Sequence, residues 1–173
     1  SGGTKAWNSI TLGADTSANT VTVSGASNLD LAFAANFGST TTPKTGVTSI
    51  DGSAATGKLA INTTNVVSAT AGLTVKGGSA ADTIVLAGAA TVLGGDGADD
   101  ITVAAAGGTL TGGAGADIFR VSNAAATSPV VTITDLAAGD KIQFASSSVA
   151  TQTTMGAKID VSAATDLASA FAI

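Results

Sequence analysis

Three short segments that begin with Gly-Gly and carry Asp at the sixth position constrain this sequence more than any other feature. They span residues 77–82, 94–99 and 112–117, so their starts are 17 and then 18 residues apart. A repeat of two nonapeptides is typical of a β-solenoid, in which each coil contributes two short strands and two turns. Glycine suits such turns because it adopts positive φ without steric cost and allows neighbouring coils to approach closely. The sequence therefore predicts an all-β chain whose coils stack with the three turns above one another.

Apolar residues keep the same period around these turns. Ile84, Ile101 and Phe119 each follow the turn Asp by two positions. Val92 and Leu110 lie in the intervening three-residue strands, 18 residues apart. Because stacked coils bring equivalent positions into columns, we expect the first three to form one inner wall and the other two to form the opposite wall.

Strand patterns continue on both sides of the repeats. Segments 20–23, 29–31, 49–51, 59–62 and 73–75 are predicted upstream strands, and 130–134 and 141–144 are predicted downstream strands. Ser162 is placed to cap a helix that begins there and extends to about residue 171. We expect an irregular β-rich region over 1–72, a regular β-roll with closing strands over 73–145, and a truncated extension with a partial helix over 146–173.

The composition excludes several classes of function. The chain has no His, Cys, Glu or Tyr, and its twelve acidic residues are all Asp. Without His and Cys there is no ordinary zinc site, thiol nucleophile or Ser-His-Asp triad, so we expect no catalytic residues and no enzyme. A net charge of -5 without a basic run argues against nucleic acid as a partner. The sequence contains no stretch of about 18 strongly apolar residues, so we do not expect insertion into a membrane.

The repeated turns offer oxygen ligands for a metal ion. Each turn supplies several backbone carbonyls and one carboxylate, from Asp82, Asp99 or Asp117. Stacking at about 4.8 Å brings carboxylates and carbonyls of neighbouring turns together. Six or more oxygens at about 2.4 Å suit Ca²⁺, whereas Mg²⁺ prefers a tighter octahedron and retains water. The opposite turns, 87–90 and 104–108, carry no carboxylate, so we expect calcium along one edge only.

The segments GGDGADDIT and GGAGADIFR resemble the G-G-x-G-x-D-x-U-x repeat of the RTX (repeats-in-toxin) calcium-binding proteins. GGSAADTIV is similar, but Ala80 stands where the pattern has Gly, which predicts a distorted turn. The segment VTITDLAAGDKI, residues 131–142, resembles the sequence that closes such rolls. This resemblance implies a right-handed parallel β-roll with calcium-binding turns, in which Asp135 and Asp140 hold a terminal ion.

The expected metal-site residues are the turn aspartates and the neighbouring residues whose backbone would contribute. Asp96 is a candidate that is equally well explained as a solvated residue, whereas Asp100 should point outward into solvent because side chains alternate along a strand. The complete set is Gly78, Ala80, Asp82, Gly94, Gly95, Asp96, Gly97, Asp99, Gly112, Gly113, Gly115, Asp117, Asp135 and Asp140.

The family resemblance also implies a function. The Thr-, Ala- and Gly-rich upstream region is similar to bacterial RTX surface-layer proteins, which are exported by type I secretion, fold on external calcium and self-associate into a lattice on the cell. We therefore expect a calcium-dependent structural module of a secreted cell-surface protein. Two alternatives are an RTX adhesin and a non-catalytic folding or secretion domain of a secreted enzyme such as a metalloprotease.

Overall fold

A computed structural model describes residues 6–13, 19–35, 37–38, 46–67, 72–103, 107–122, 131–145 and 159–160. Their regular structure is entirely β, which confirms the predicted fold class. The strands are β1 (Trp7–Leu12), β2 (Thr20–Gly25), β3 (Asn28–Phe33), β4 (Ser49–Ala55), β5 (Leu59–Asn62), β6 (Leu73–Lys76), β7 (Thr83–Leu86), β8 (Ala90–Asp96), β9 (Asp100–Val103), β10 (Gly108–Ala114), β11 (Ile118–Ser122), β12 (Val131–Ile133), β13 (Lys141–Ala145) and β14 (Ile159–Asp160). The helix predicted over 162–171 lies outside the described residues.

The strands form two seven-stranded sheets within the described part of the chain. The odd sheet has the order β1-β3-β5-β7-β9-β11-β13, and the even sheet has the order β14-β12-β10-β8-β6-β4-β2. The strand pairs within both sheets are parallel. Since consecutive strands alternate between the sheets, the chain winds as a β-solenoid, and the upstream strands belong to the same two sheets as the Gly-Gly repeats.

The core consists of apolar columns that run along the solenoid between the sheets. In the odd sheet one column contains Ile10, Leu31, Ile61, Ile84, Ile101, Phe119 and Ile142 in successive register. In the even sheet the facing column contains Val21, Ile50, Val75, Val92, Leu110 and Ile133. Ile84, Ile101, Phe119, Val92 and Leu110 are all fully buried, as the period of the repeats predicts. Burial of this apolar surface is the main stabilising contribution to the fold.

The turns from an even strand to the next odd strand all lie at one edge of the solenoid, which we call the aspartate edge. It comprises the connections at 26–27, 56–58, 77–82, 97–99, 115–117 and 134–140. The odd strands end, and the even strands begin, at the opposite edge. The candidate site therefore lies at one edge of the solenoid.

Candidate metal site

Four aspartates occupy the same position in successive coils of the aspartate edge. Asp82, Asp99, Asp117 and Asp140 directly precede β7, β9, β11 and β13, and the register of these strands places them in one column. Their exposed fractions are only 0–4 %. Aspartate is seldom buried so completely unless its charge is compensated, so this column needs a partner for each carboxylate.

Part of that compensation is a ladder of hydrogen bonds between coils. Asp99 Oδ1 accepts from the backbone N–H of Asp82 at 2.7 Å, and Asp117 Oδ1 accepts from the N–H of Asp99 at 2.8 Å. Asp140 Oδ1 continues the ladder by accepting from the N–H of Asp117 at 2.8 Å. At the other end of the column, Asp82 Oδ1 accepts from the N–H of Leu59 at 2.7 Å. Leu59 stands at the equivalent position of the preceding coil, so the column of carboxylates stops there. Each aspartate thus ties its own coil to the preceding one.

The Oδ2 atoms of the four aspartates differ in whether they accept a hydrogen bond. At the ends of the column, Asp82 Oδ2 accepts from the Gly78 N–H at 2.6 Å, and Asp140 Oδ2 accepts from the Ala137 N–H at 2.8 Å. In the middle, the Oδ2 atoms of Asp99 and Asp117 are buried and have no hydrogen-bond partner among the described residues. A buried oxygen of a charged group without a partner is costly, so these two atoms mark where a proton or a cation is required.

The electrostatics of the column agree with this geometry. Burial raises the pKa of Asp99 to about 7; the hydrogen bond from Asp82 opposes the rise, and the charges of Asp82, Asp117 and Asp96 add to it. Burial likewise raises the pKa of Asp117, with further increases from Asp140 and Asp135. The pKa of Asp82 is also raised by burial, although its two backbone hydrogen bonds and the charge of Lys58 oppose the rise. The column therefore favours protonation or a bound cation over isolated negative charges.

The glycines of the repeats are explained by close approach of the coils. Gly95 and Gly113 have φ of 113° and 101°, and a Cβ at either position would collide with the carbonyl oxygen of the preceding coil, at Gly78 and Gly95 respectively. A Cβ at Gly94 would collide with Asp99 Oδ2 and with the Gly112 carbonyl oxygen. Glycine is therefore required both for the turn conformation and to leave space for the carboxylate.

The turn at 77–82 stacks on its neighbour despite the Ala at position 80. The N–H of Asp96 donates to the Gly78 carbonyl at 3.1 Å, and Asp82 keeps its place in the column. The backbone of Gly97 lies directly against Ala80, since a Cβ on Gly97 would come 2.6 Å from the Ala80 carbonyl carbon. Ala80 thus leaves the stacking of its turn and the place of Asp82 intact. The turn still differs locally from its neighbours, because Gly78 is not at positive φ as Gly95 and Gly113 are, and its N–H donates to Asp82 Oδ2.

Three acidic residues of the repeats and the closing segment, Asp96, Asp100 and Asp135, lie outside the column. Asp135 occupies the place of the first Gly in the last turn, where its Oδ1 and Oδ2 accept from the N–H groups of Gly112 and Gly113 at 2.9 and 2.7 Å. Asp96 is exposed. Asp100 points outward as predicted, but it is paired: Arg120 Nε lies 2.7 Å from its Oδ1 and Nη2 lies 2.8 Å from its Oδ2.

The residues of the column fit a hard cation. They supply only oxygen, their charge is buried, and two of their oxygens lack partners. Such a donor set is the one that Ca²⁺ prefers. Within the described ranges no three side chains of His, Cys, Asp or Glu converge on one point. An ion at this edge would therefore depend on backbone carbonyls of the turns as well as on carboxylates.

No protein-family model, curated protein or solved structure matches this chain. In the portions of the chain that the structure describes, no helix has the length and apolar character needed to cross a membrane.

Proposed function

We propose that this chain is a calcium-dependent structural module of a secreted bacterial cell-surface protein, similar to the RTX surface-layer proteins. The observation that carries the proposal is the pair of buried, unpartnered Oδ2 atoms of Asp99 and Asp117 in adjacent coils. Uncompensated carboxylates in such a place destabilise the folded state, and a divalent cation between coils would reverse that contribution.

The proposed calcium ligands all belong to the aspartate edge. Asp82, Asp99, Asp117 and Asp140 would supply the carboxylates, and carbonyls of the glycine turns would complete the coordination. The first glycines of the turns leave the space beside the carboxylates open, because a side chain at Gly94 or Gly112 would occupy it. At the opposite edge, segments 87–90 and 104–108 contain no acidic residue.

This arrangement couples folding to the calcium concentration around the protein. The low free calcium of a cytosol leaves the column uncompensated, which favours a chain that is still unfolded for export. Extracellular modules bind calcium with dissociation constants of about 0.1–1 mM, so external calcium would drive folding. In this proposal the chain is not catalytic, and its role at the cell surface is structural, through self-association with like protomers.

The proposal is tested by one variant with two readouts. Asp99→Asn keeps the size of the side chain and removes its charge, and Asp30→Asn is the matched control because Asp30 is exposed on β3. We expect Asp99→Asn to reduce calcium-induced folding of the chain and to disrupt an ordered layer on the cell that produces it. Calcium-dependent folding with an unaffected surface layer would favour the adhesin or the enzyme appendage over the surface-layer role.

A further inference from the structure

A modification motif occurs once in this sequence. Of the seven Asn residues, only Asn62 has Ser or Thr two positions later, in the triplet Asn62-Thr63-Thr64. Asn-x-Ser/Thr, where x is not Pro, is the acceptor sequence for N-linked sugars. Because the chain is rich in Ser and Thr, such a triplet arises easily by chance, so the placement of Asn62 in the fold is decisive.

Asn62 lies where the fold has room for a sugar. It is the last residue of β5 and is exposed on the outer face of the odd sheet, since the preceding Ile61 points into the core. Its register partner on β7 is Val85, and Ala60 precedes it by two residues on the same face. Both neighbouring side chains are short and uncharged, so they leave the solvent side of Asn62 open.

The side chain of Asn62 is held in a tight turn. The Thr64 N–H donates to Asn62 Oδ1 at 3.0 Å, and the Thr64 hydroxyl donates to the same oxygen at 2.6 Å. Asn side chains commonly bond to the backbone two residues further on in this way. Both donors belong to the third residue of the triplet, so the arrangement forms locally and does not require the rest of the solenoid.

A second turn of the same kind shows what Asn adds. Asp51 Oδ1 accepts the same two bonds from Ser53, at 3.0 and 2.6 Å, and its Oδ2 pairs with Lys76. An Asp at position 62 would therefore serve as well if only the turn mattered. The Nδ2 group of Asn62, in contrast, donates to no acceptor among the described residues. Asn62 therefore exposes a carboxamide nitrogen that the turn does not use.

We propose that Asn62 is a glycosylation site, modified by an enzyme that uses a nucleoside diphosphate sugar. Asn62 Nδ2 forms a bond to the anomeric carbon of the sugar and gives up one proton to a base of the enzyme. The bond from that carbon to the phosphate oxygen breaks, and the nucleoside diphosphate leaves with the bonding electron pair. A carboxamide nitrogen is a weak nucleophile that needs activation. The two bonds from Thr64 supply it, because they stabilise the negative charge that develops on Oδ1 as the proton leaves.

The choice of donor rests on the proposed function, whereas the site itself does not. A chain that leaves the cytosol unfolded meets nucleotide sugars before it folds, and the local turn at Asn62 is available to a transferase at that stage. In the folded chain Asn62 is exposed at the end of β5, on the edge opposite the aspartates. A sugar at Asn62 therefore leaves the aspartate edge accessible to calcium.

The test is mass spectrometry of the protein isolated from the cell that produces it. Tryptic cleavage after Lys58 and Lys76 releases the peptide 59–76. We expect this peptide to carry the mass of one or more sugar units, which fragmentation assigns to Asn62. Asn62→Asp keeps the acceptor of the turn but has no Nδ2, so the modification should be lost. Thr64→Val should also lose it, whereas the matched control Thr64→Ser keeps the hydroxyl donor and should keep the sugar.

A peptide 59–76 without added mass would overturn the inference, and so would a sugar that persists in Asn62→Asp, since it would be attached to another residue. Calcium-induced folding of the same variants separates this result from the proposed function. Asn62→Asp should respond to calcium as the native chain does. A chain that folds on calcium but carries no sugar would contradict the glycosylation site alone, and a glycosylated chain without a calcium response would contradict the calcium module alone.

Discussion

Asp117 holds Asp99 through the backbone: its Oδ1 accepts from the Asp99 N–H at 2.8 Å, and in both residues the other carboxylate oxygen is buried without a partner among the described residues. The ladder therefore fixes the position of each carboxylate while leaving half of its hydrogen-bonding capacity unused. Rigid placement combined with an uncompensated charge distinguishes a prepared binding site from a group that merely stabilises a turn.

Removing one charge from this pair should affect the metal-free and calcium-loaded proteins differently. Asp99→Asn retains an acceptor for the Asp82 N–H and removes a carboxylate whose pKa burial raises to about 7. Without calcium at pH 8 we expect the variant to be thermally more stable than the unmodified chain, because it lacks a buried negative charge whose second oxygen has no partner among the described residues. The gain on adding calcium should fall by up to about 2.7 kcal/mol per lost site at a hundredfold excess over the dissociation constant.

Asp30→Asn is the control for this measurement, because Asp30 is exposed and the net charge changes equally. Equal calcium-induced stabilisation in the Asp99→Asn variant and in the unmodified chain would show that Asp99 is not a ligand.

The metal-free protein should become more stable as the solution is made moderately acidic. The pKa of Asp99 is about 7 in the folded chain, against an ordinary value of 3.8. Between these values the folded state binds the proton and the unfolded state does not, so stability is greatest at the acidic end and declines as pH rises to about 7. The raised pKa values of Asp82 and Asp117 act in the same direction. Denaturant unfolding in a chelator at pH 5 and pH 8 measures the difference.

This pH range avoids the opposite contribution of Asp51. Hydrogen bonds from Ser53 and the ion pair with Lys76 lower the pKa of Asp51 to about 2, so its stabilisation is lost only below pH 3.8. Saturating calcium should remove the preference for pH 5, because protons and calcium compete for the same carboxylates. A metal-free protein that is more stable at pH 8 than at pH 5 would contradict the buried column.

Glycine-to-alanine substitutions should destabilise the protein in the stacked turns of the aspartate edge much more than at the opposite edge. Gly113→Ala forces a side chain onto a residue with φ of 101° and against the Gly95 carbonyl, so we expect it to lower the free energy of unfolding by more than about 1 kcal/mol. Gly88→Ala is the matched change in the turn after β7, where a Cβ meets nothing within 4 Å. Its effect should stay within about 0.5 kcal/mol. Equal effects in denaturant unfolding would contradict close stacking at the aspartate edge.

The sequence predicted the solenoid well because its signals repeat. One apolar position per strand, recurring every 17–18 residues as at Ile84, Ile101 and Phe119, becomes a buried column only when coils stack in register. The upstream strands have a less regular period, yet the predicted segment 59–62 coincides with β5, and the predicted segment 49–51 covers the first three residues of β4. Alternation of apolar and polar residues was sufficient to locate them, since it reports burial on one face.

Contacts between side chains of neighbouring coils could not be predicted from the sequence. The Asp100–Arg120 pair joins residues 20 positions apart, and the sequence alone gives no reason to choose that partner for Arg120. Parallel register reveals it, because Thr102 lies opposite Arg120 and Asp100 opposite Ile118, so that the two charged residues lie diagonally on the outer face. The backbone ladder that holds Asp82, Asp99 and Asp117 likewise depends on coil stacking, whereas their alignment above one another followed from their common place in the repeat.

Hydrogen exchange of the backbone amides in calcium and in a chelator tests the central claim most directly. The ladder donors, the N–H groups of Asp82, Asp99 and Asp117, lie within the turns that calcium is proposed to join. Millimolar calcium should increase protection across residues 77–120, including these three amides, while β2 and β3, which contribute no group to the ladder, change much less. Equal protection of residues 77–120 in calcium and in chelator would contradict the account.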